Sequence, residues 1–178
     1  MSVAPSILPV MYETQAEVRD LQKLLDSSLS RSTRHLRSII VPGKTAVSAR
    51  QLCDMLTGMC VLSIATVTAK GEPRISAVDG HFWHGRWIFG TDASAAKARH
   101  LRARPAVSVA HLRGEELGVF THGKVEPLVA DHPDWPAILE HLTNHYGVSP
   151  TTFGDEVVYY RLQPHWMVAY GQLEKLST

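Results

Sequence analysis

Apolar and polar positions alternate through residues 60–67 (CVLSIATV), with Cys60, Leu62, Ile64 and Thr66 on one face and Val61, Ser63, Ala65 and Val67 on the other. Almost every position is apolar or small, which predicts a strand buried on both sides. Ala69-Lys70-Gly71 supplies a tight connection with a glycine where a positive φ is expected, and Arg74–Phe82 resumes the extended pattern as the second arm of a hairpin. Gly85 closes the next turn, Arg86–Gly90 reads as a third strand, and Val107 and Val109 alternate along a fourth. Leu117–Val129 is a long extended segment in which Gly118 and Gly123 mark bends or bulges. Two closing strands are expected at Glu156–Leu162 and Trp166–Leu173, with Gln163-Pro164 as the corner between them.

Helical periods fall between these segments. Residues 14–40 carry Val18, Leu21, Leu25 and Leu29 on one stripe and charges opposite, an amphipathic extension that needs a partner surface. Ser48 and Gln51 fit a capping box for a short helix to about Thr57. Thr91 and Asp92 are possible caps for a helix over 93–104, which Pro105 ends. Asp131 with Pro133 opens another, whose apolar stripe of Trp135, Ile138, Leu139, Leu142 and Tyr146 runs to Gly147. Six or seven strands with a few helices inserted argue for an α+β, mainly β protein built on an antiparallel barrel. Residues 1–47 read as an N-terminal arm and helical extension, and 48–178 as the barrel domain.

Composition narrows the functional classes. The chain has 178 residues, is 44% hydrophobic and carries a formal net charge of +1, so it has enough core for an ordinary domain and no overall bias toward nucleic acid. The two cysteines, Cys53 and Cys60, read as reduced core thiols. The start, MSVAPSILPVMYETQ, has no basic leader and no long apolar run, so a cytoplasmic location with no membrane span is expected. No Gly-x-Ser-x-Gly, Walker glycine loop or Gly-x-Gly-x-x-Gly occurs, which disfavours hydrolases, nucleoside triphosphatases and Rossmann dehydrogenases.

Positive charge gathers in one place. Thr91, Ser94 and Lys97 stand at the start of the 93–104 helix, where free N–H groups and the helix dipole attract anions, and Arg74 and Ser76 share a face of the neighbouring strand. That set fits a phosphate seat; the competing reading makes Lys97, Arg99, Arg102 and Arg104 a solvated helix face and pairs Arg74 with Asp79 or Asp92. Among the ten histidines, His141 and His145 lie at i, i+4, yet no third ligand accompanies them and no metal site is expected. His81 and His84 point to opposite faces of a strand.

The run from Val61 to Pro105, with ATVTAKGEPRISAV, GRWIFGT and SAAKARHLRARP in that order, resembles the pyridoxamine 5′-phosphate oxidase-like split β-barrel family, which includes FMN-binding proteins and deazaflavin (F420)-dependent reductases. The resemblance covers about residues 48–173. It implies an antiparallel six-stranded split barrel with flanking helices that forms a homodimer, with cofactors in grooves between subunits. Carried onto this chain, it implies that Arg74, Ser76, Thr91, Ser94 and Lys97 hold the phosphate of FMN or coenzyme F420. Thr66 and Val78 then border the ribityl chain or ring, and Trp166 approaches from the closing strands. The implied activity is hydride or electron transfer to a small organic substrate, with the chemistry carried by the cofactor. No catalytic acid or base is assigned; His81, His111 and Tyr170 are candidates that core packing explains equally. The chain stops soon after its last expected strand, without the C-terminal substrate-binding segment of true pyridoxamine phosphate oxidases, so vitamin B6 synthesis is not the expected activity. The alternative is a carrier or sensor that binds a cofactor, haem or another tetrapyrrole without turnover.

Overall fold

A computed structural model describes residues 12–153 and 156–172; the expected N-terminal arm and the last expected strand residue, Leu173, lie largely or wholly outside them. Helices α1 (Gln15–Ser30), α2 (Arg34–Ile39) and α3 (Ala49–Met55) lead into strands β1 (Met59–Val67), β2 (Pro73–Trp83) and β3 (Arg86–Asp92). Then follow α4 (Ala96–Ala103), β4 (Ala106–Arg113), β5 (Leu117–Leu128), α5 (Trp135–Tyr146), a 3-10 turn (Pro150–Thr152) and β6 (Val157–Gly171). The strands close a barrel in the order β1-β2-β3-β6-β5-β4, every pair antiparallel. The six-stranded barrel with flanking helices is the architecture expected from the sequence.

One face of each strand fills the interior. Leu62, Ile64, Trp87, Phe89, Val109, Val119, Leu162 and Met167 form its core, and Leu21 and Leu25 of α1 join the same cluster. Trp87 Nε1 donates to Thr121 Oγ1 (3.2 Å), which pairs a buried indole N–H with an acceptor. Capping boxes at Thr14–Glu17 and Ser48–Gln51 start α1 and α3. Two serines of α1 return their hydroxyls to carbonyls of the preceding turn, Ser27 to Leu24 and Ser30 to Ser27, and Ser28 accepts from the Met167 N–H (2.9 Å), so the helix runs on through that polar stretch.

Several boundaries differ from expectation for local reasons. β1 is buried on one face only: Val61 is 56% exposed while Leu62 is fully buried, because among the described residues no layer covers the outer side of β1 there. The helix expected from residue 93 starts at Ala96, since Asp92 Oδ1 accepts from both the Ser94 N–H (2.7 Å) and the Ser94 hydroxyl (2.5 Å) and holds that segment as a turn. The helix expected from Asp131 starts at Trp135, after turns closed by His132 N–H on Val129 O and Trp135 N–H on His132 O. Asp134 at its N-cap gives its carboxylate to Arg161 of β6 instead of capping. The two closing strands are one, β6, and Gln163-Pro164 is no corner. Pro164 sits opposite Gly123 at a bulge, where its missing N–H is tolerated. A Cβ on Gly123 would stand 2.2 Å from Gln163 O, so the residue is dictated by close backbone approach. Gly71 takes the expected positive φ, 81°.

Candidate functional site

β2 and β3 pair only over Gly80–Trp83 and Arg86–Phe89; past that point they part, and the barrel is split at this end. The helix α4 packs beside the split, against β1 and β3, with Ala98 and Leu101 buried beneath it. No side chain caps its first turn, and the first helical bond runs from Arg99 N–H to Ala95 O (3.2 Å). The amides before Arg99 therefore stand ready for an anion, as the helix dipole favours. Half-buried Lys97 lies in this turn, and half-buried Thr91 is the next-to-last residue of β3, the strand leading to it.

The sequence-derived site residues divide into two groups here. Arg74, Ser76 and Val78 share a face of β2, opposite Thr66, Ile64 and Leu62 of β1. Arg74 is at the open end, exposed and paired with Glu72 (2.8 Å), so its partner is neither Asp79 nor Asp92 and its guanidinium is not buried. Thr66 is 1% exposed and its hydroxyl lies 2.9 Å from His100 Nδ1 of α4; Val78 is likewise buried toward the interior. Ser94 is engaged by Asp92, whose carboxyl is held below its ordinary range by those two hydrogen bonds. Trp166 stacks on His122 (4.6 Å between centroids) and lies eight residues along β6 from Val158, the partner of Thr91, which is roughly 26 Å at strand rise. Within one chain Trp166 does not join the seat. Arg99 and Arg102 turn back to the carbonyls of Ser94 and Ala93, bracing the turn before α4.

Next to Thr91 and Asp92, on the outer side of the barrel, a cavity of about 190 Å³ opens between β2, β3, β6 and α5. Asp79, His81, Tyr146, Phe153 and Tyr159 are among its walls. Behind it runs a buried polar chain. The Tyr146 hydroxyl is 3.1 Å from His81 Nε2, and His81 Nδ1 is 3.1 Å from His141 Nε2. His141 Nδ1 is buried without a partner among the described residues. Burial first, and then the neighbouring imidazoles, push His81 down to about 3 and His141 down to about 4, so both rings are neutral at pH 7. Burial and the nearby Asp79 charge push the Tyr146 phenol up, which keeps it protonated. His81 was a candidate acid from the sequence. Tyr146 was legible only as the end of an apolar stripe, and a tyrosine closing such a stripe, with its polar tip free, was the available signal.

His145 is exposed and faces His81 across a ring separation of 4.8 Å, yet no three His, Cys, Asp or Glu residues among those described are arranged to hold a metal. His111, the other histidine candidate, bonds Val61 O (3.0 Å), and burial lowers its pKa; Tyr170 stacks on Phe120. A larger cleft of about 920 Å³ lies between α4, the end of β5 and the start of β6. Its walls are mainly apolar, with Leu101, Pro105, Val125, Trp135 and Tyr160 among them. No helix among the described residues is long and apolar enough to cross a membrane.

A family model described as pyridoxamine 5′-phosphate oxidase matches residues 51–165 of the chain. Among solved structures, a conserved hypothetical protein from Mycobacterium tuberculosis superposes with a TM-score of 0.60 at 19% identity, covering 76% of this chain and 91% of its own. HutZ, the haem storage protein from Vibrio cholerae, does so with a TM-score of 0.56 at 20% identity, covering 64% of this chain and 89% of its own. An F420 reductase gives 0.51 at 21%, with 64% of this chain and 92% of that one covered. At these identities the likeness establishes the fold. No curated protein sequence matches the chain.

Proposed function

The chain belongs to the pyridoxamine 5′-phosphate oxidase family, and on that premise we propose that it is a flavin-type oxidoreductase that binds FMN through its phosphate and acts on a small organic substrate. The observation that carries this reading is the uncapped first turn of α4 beside the split between β2 and β3. The residues there fit a phosphate: backbone N–H groups of the first turn, Lys97, the Thr91 hydroxyl, and Arg74 and Ser76 on the facing strand, with Arg74 leaving Glu72 for the stronger anion. Thr66 and Val78 support the strands from inside. When bound, the cofactor supplies the hydride or electron transfer, and the protein supplies binding, orientation and electrostatics.

FMN and coenzyme F420 share the phosphate that this seat fits, and FMN is taken as its first probe. The haem-carrier reading stands second to the enzyme, since His81 and His141 are bonded to each other and His84 to Glu17 (2.8 Å).

We further propose a homodimer in which a second copy covers the outer face of β1, β2 and β4. Val61 (56%), Ile75 (78%) and Leu112 (58%) are exposed there beside small residues such as Ser63, Ala77 and Ala110, a patch that water disfavours. A second copy is also the route by which Trp166 approaches a seat that its own chain keeps distant.

The test is a fluorescence titration of purified protein with FMN, with coenzyme F420 and, by absorbance, with haem. Saturable FMN binding that is lost in Arg74→Glu/Lys97→Glu while the fold persists is expected. Unchanged FMN affinity in that folded variant overturns the seat, and tight haem binding without FMN binding overturns the enzyme reading.

A further inference from the structure

The cavity beneath α5 shares Thr91 with the proposed phosphate seat, but carries further polar and aromatic residues that the seat does not use. Aromatic surfaces of Tyr146, Tyr159 and Phe153 stand around it, and Asp79 and Asp92 add two carboxylates. Among the described lining residues there is no lysine or arginine, and His81 is neutral. Such a site favours a cation: ring faces attract positive charge, carboxylates pair with it, and an anion meets only repulsion.

The polar chain behind the cavity fixes one hydrogen-bonding point in it. Protons can run from His141 to His81 to the Tyr146 oxygen, or in the reverse direction from the Tyr146 hydroxyl. In both arrangements the Tyr146 oxygen keeps at least one lone pair free of His81. A ligand N–H can therefore end on Tyr146 whichever tautomers are present. His81 and His141 touch no ligand in this scheme, His141 lying outside the lining, and act as positioning residues that hold the phenol at the cavity wall.

We propose that this cavity selects a small flat organic cation, an amine or protonated ring nitrogen on an aromatic body, seated against Tyr146, Tyr159 and Phe153 with its N–H on Tyr146 and its charge toward Asp79 and Asp92. The proposal rests on the oxidoreductase reading only in calling this ligand the substrate. It sets the chain apart from the phosphorylated compound in its family's description, whose phosphate the two carboxylates repel.

Isothermal titration of the cofactor-free full-length protein with benzylamine, benzyl alcohol and benzoate, matched in shape and differing in charge, tests it. Benzylamine is expected to bind at least tenfold more tightly than benzyl alcohol, with benzoate not saturating. Tyr146→Phe should weaken benzylamine three- to tenfold, and His81→Leu should do the same while His81→Gln, which retains an N–H donor, restores binding to within about twofold. Asp79→Asn, a surface change, should erase most of the preference for the amine and serves if Tyr146→Phe does not fold. Benzoate binding as tightly as benzylamine, or unchanged benzylamine affinity in folded Tyr146→Phe and Asp79→Asn variants, overturns the proposal. FMN titrated into the same samples separates the two readings. Displacement of benzylamine by FMN assigns the cavity to the cofactor and overturns this proposal, whereas amine binding with no FMN binding supports the cation pocket and sinks the cofactor seat alone.

Discussion

His81 of β2 and His141 of α5 meet ring nitrogen to ring nitrogen, 3.1 Å apart, and so tie the helix to the outer wall of the barrel. Both imidazoles are held neutral, His81 at about 3 and His141 at about 4, by burial and by the positive charge that each neighbouring imidazole would add. The groups around them are His145 and Tyr146 on α5, Tyr12 before α1, Trp83 and His84 at the end of β2, and Asp79.

Acid should therefore weaken the fold well above the carboxylate range. An unfolded histidine takes up a proton near pH 6.5, whereas these two refuse it until far lower pH. The unfolded state then binds more protons in between, and stability, complete above about pH 6.5, falls as pH is lowered through that window. Each histidine contributes on the order of 1–2 kcal/mol of loss by pH 5. Thermal melts from pH 8 to pH 5 check this: the melting temperature should decline steadily, and less steeply in His141→Leu. A flat profile over that range contradicts the neutral pair.

Gly123→Ala should be severely destabilising. The new Cβ would meet Gln163 O at 2.2 Å, a backbone atom that moves only if β5 and β6 separate at the bulge. A loss of about 3 kcal/mol or more is expected from overpacking against backbone. Gly114→Asn is the control, because that turn has open space around it and asparagine tolerates its φ of 50°. Urea denaturation of both variants gives the comparison, and near-equal midpoints would mean the bulge relaxes.

Thr66→Val separates a structural role from a ligand-binding one. The Thr66 hydroxyl is buried against His100, so its removal should lower stability by about 1 kcal/mol through the lost hydrogen bond. FMN affinity should stay within twofold of the parent. A tenfold loss of affinity at unchanged stability would put Thr66 on the cofactor.

Val61→Glu should separate the proposed dimer into folded monomers. Val61 is exposed on the outer face of β1, opposite Asp79 of β2, and a carboxylate there would lie desolvated beside a like charge in an interface, whereas water screens the pair in a monomer. Sedimentation equilibrium should move from dimer to monomer with the far-ultraviolet spectrum unchanged. A parent protein that is already monomeric rules out the dimer.

Most of the strands, the capping box at Ser48, the positive φ of Gly71 and a bend or bulge at Gly123 were legible in the sequence. The first three are decided by residues close in sequence, through alternation of apolar positions, capping or the limits on backbone angles, whereas at Gly123 the sequence marked the position and the approach of the β6 backbone decided it. The closeness of Thr91, Ser94 and Lys97 to the start of α4 follows from their spacing, while the hold of Asp92 on Ser94 does not. Burial of one face of β1 rather than two, the start of α4 at Ala96 and the unbroken run of β6 through Pro164 were not. They depend on which surface stays uncovered, on where the Asp92 carboxylate turns, and on the bulge that β5 presents to β6. The cavity and its polar chain belong wholly to the tertiary structure. His81 and Tyr146 are 65 residues apart in sequence, and only the packing of α5 against β2 brings a phenol and two neutral imidazoles into hydrogen-bonding range. Local periodicity specifies elements; the low-dielectric contact between distant ones specifies the chemistry.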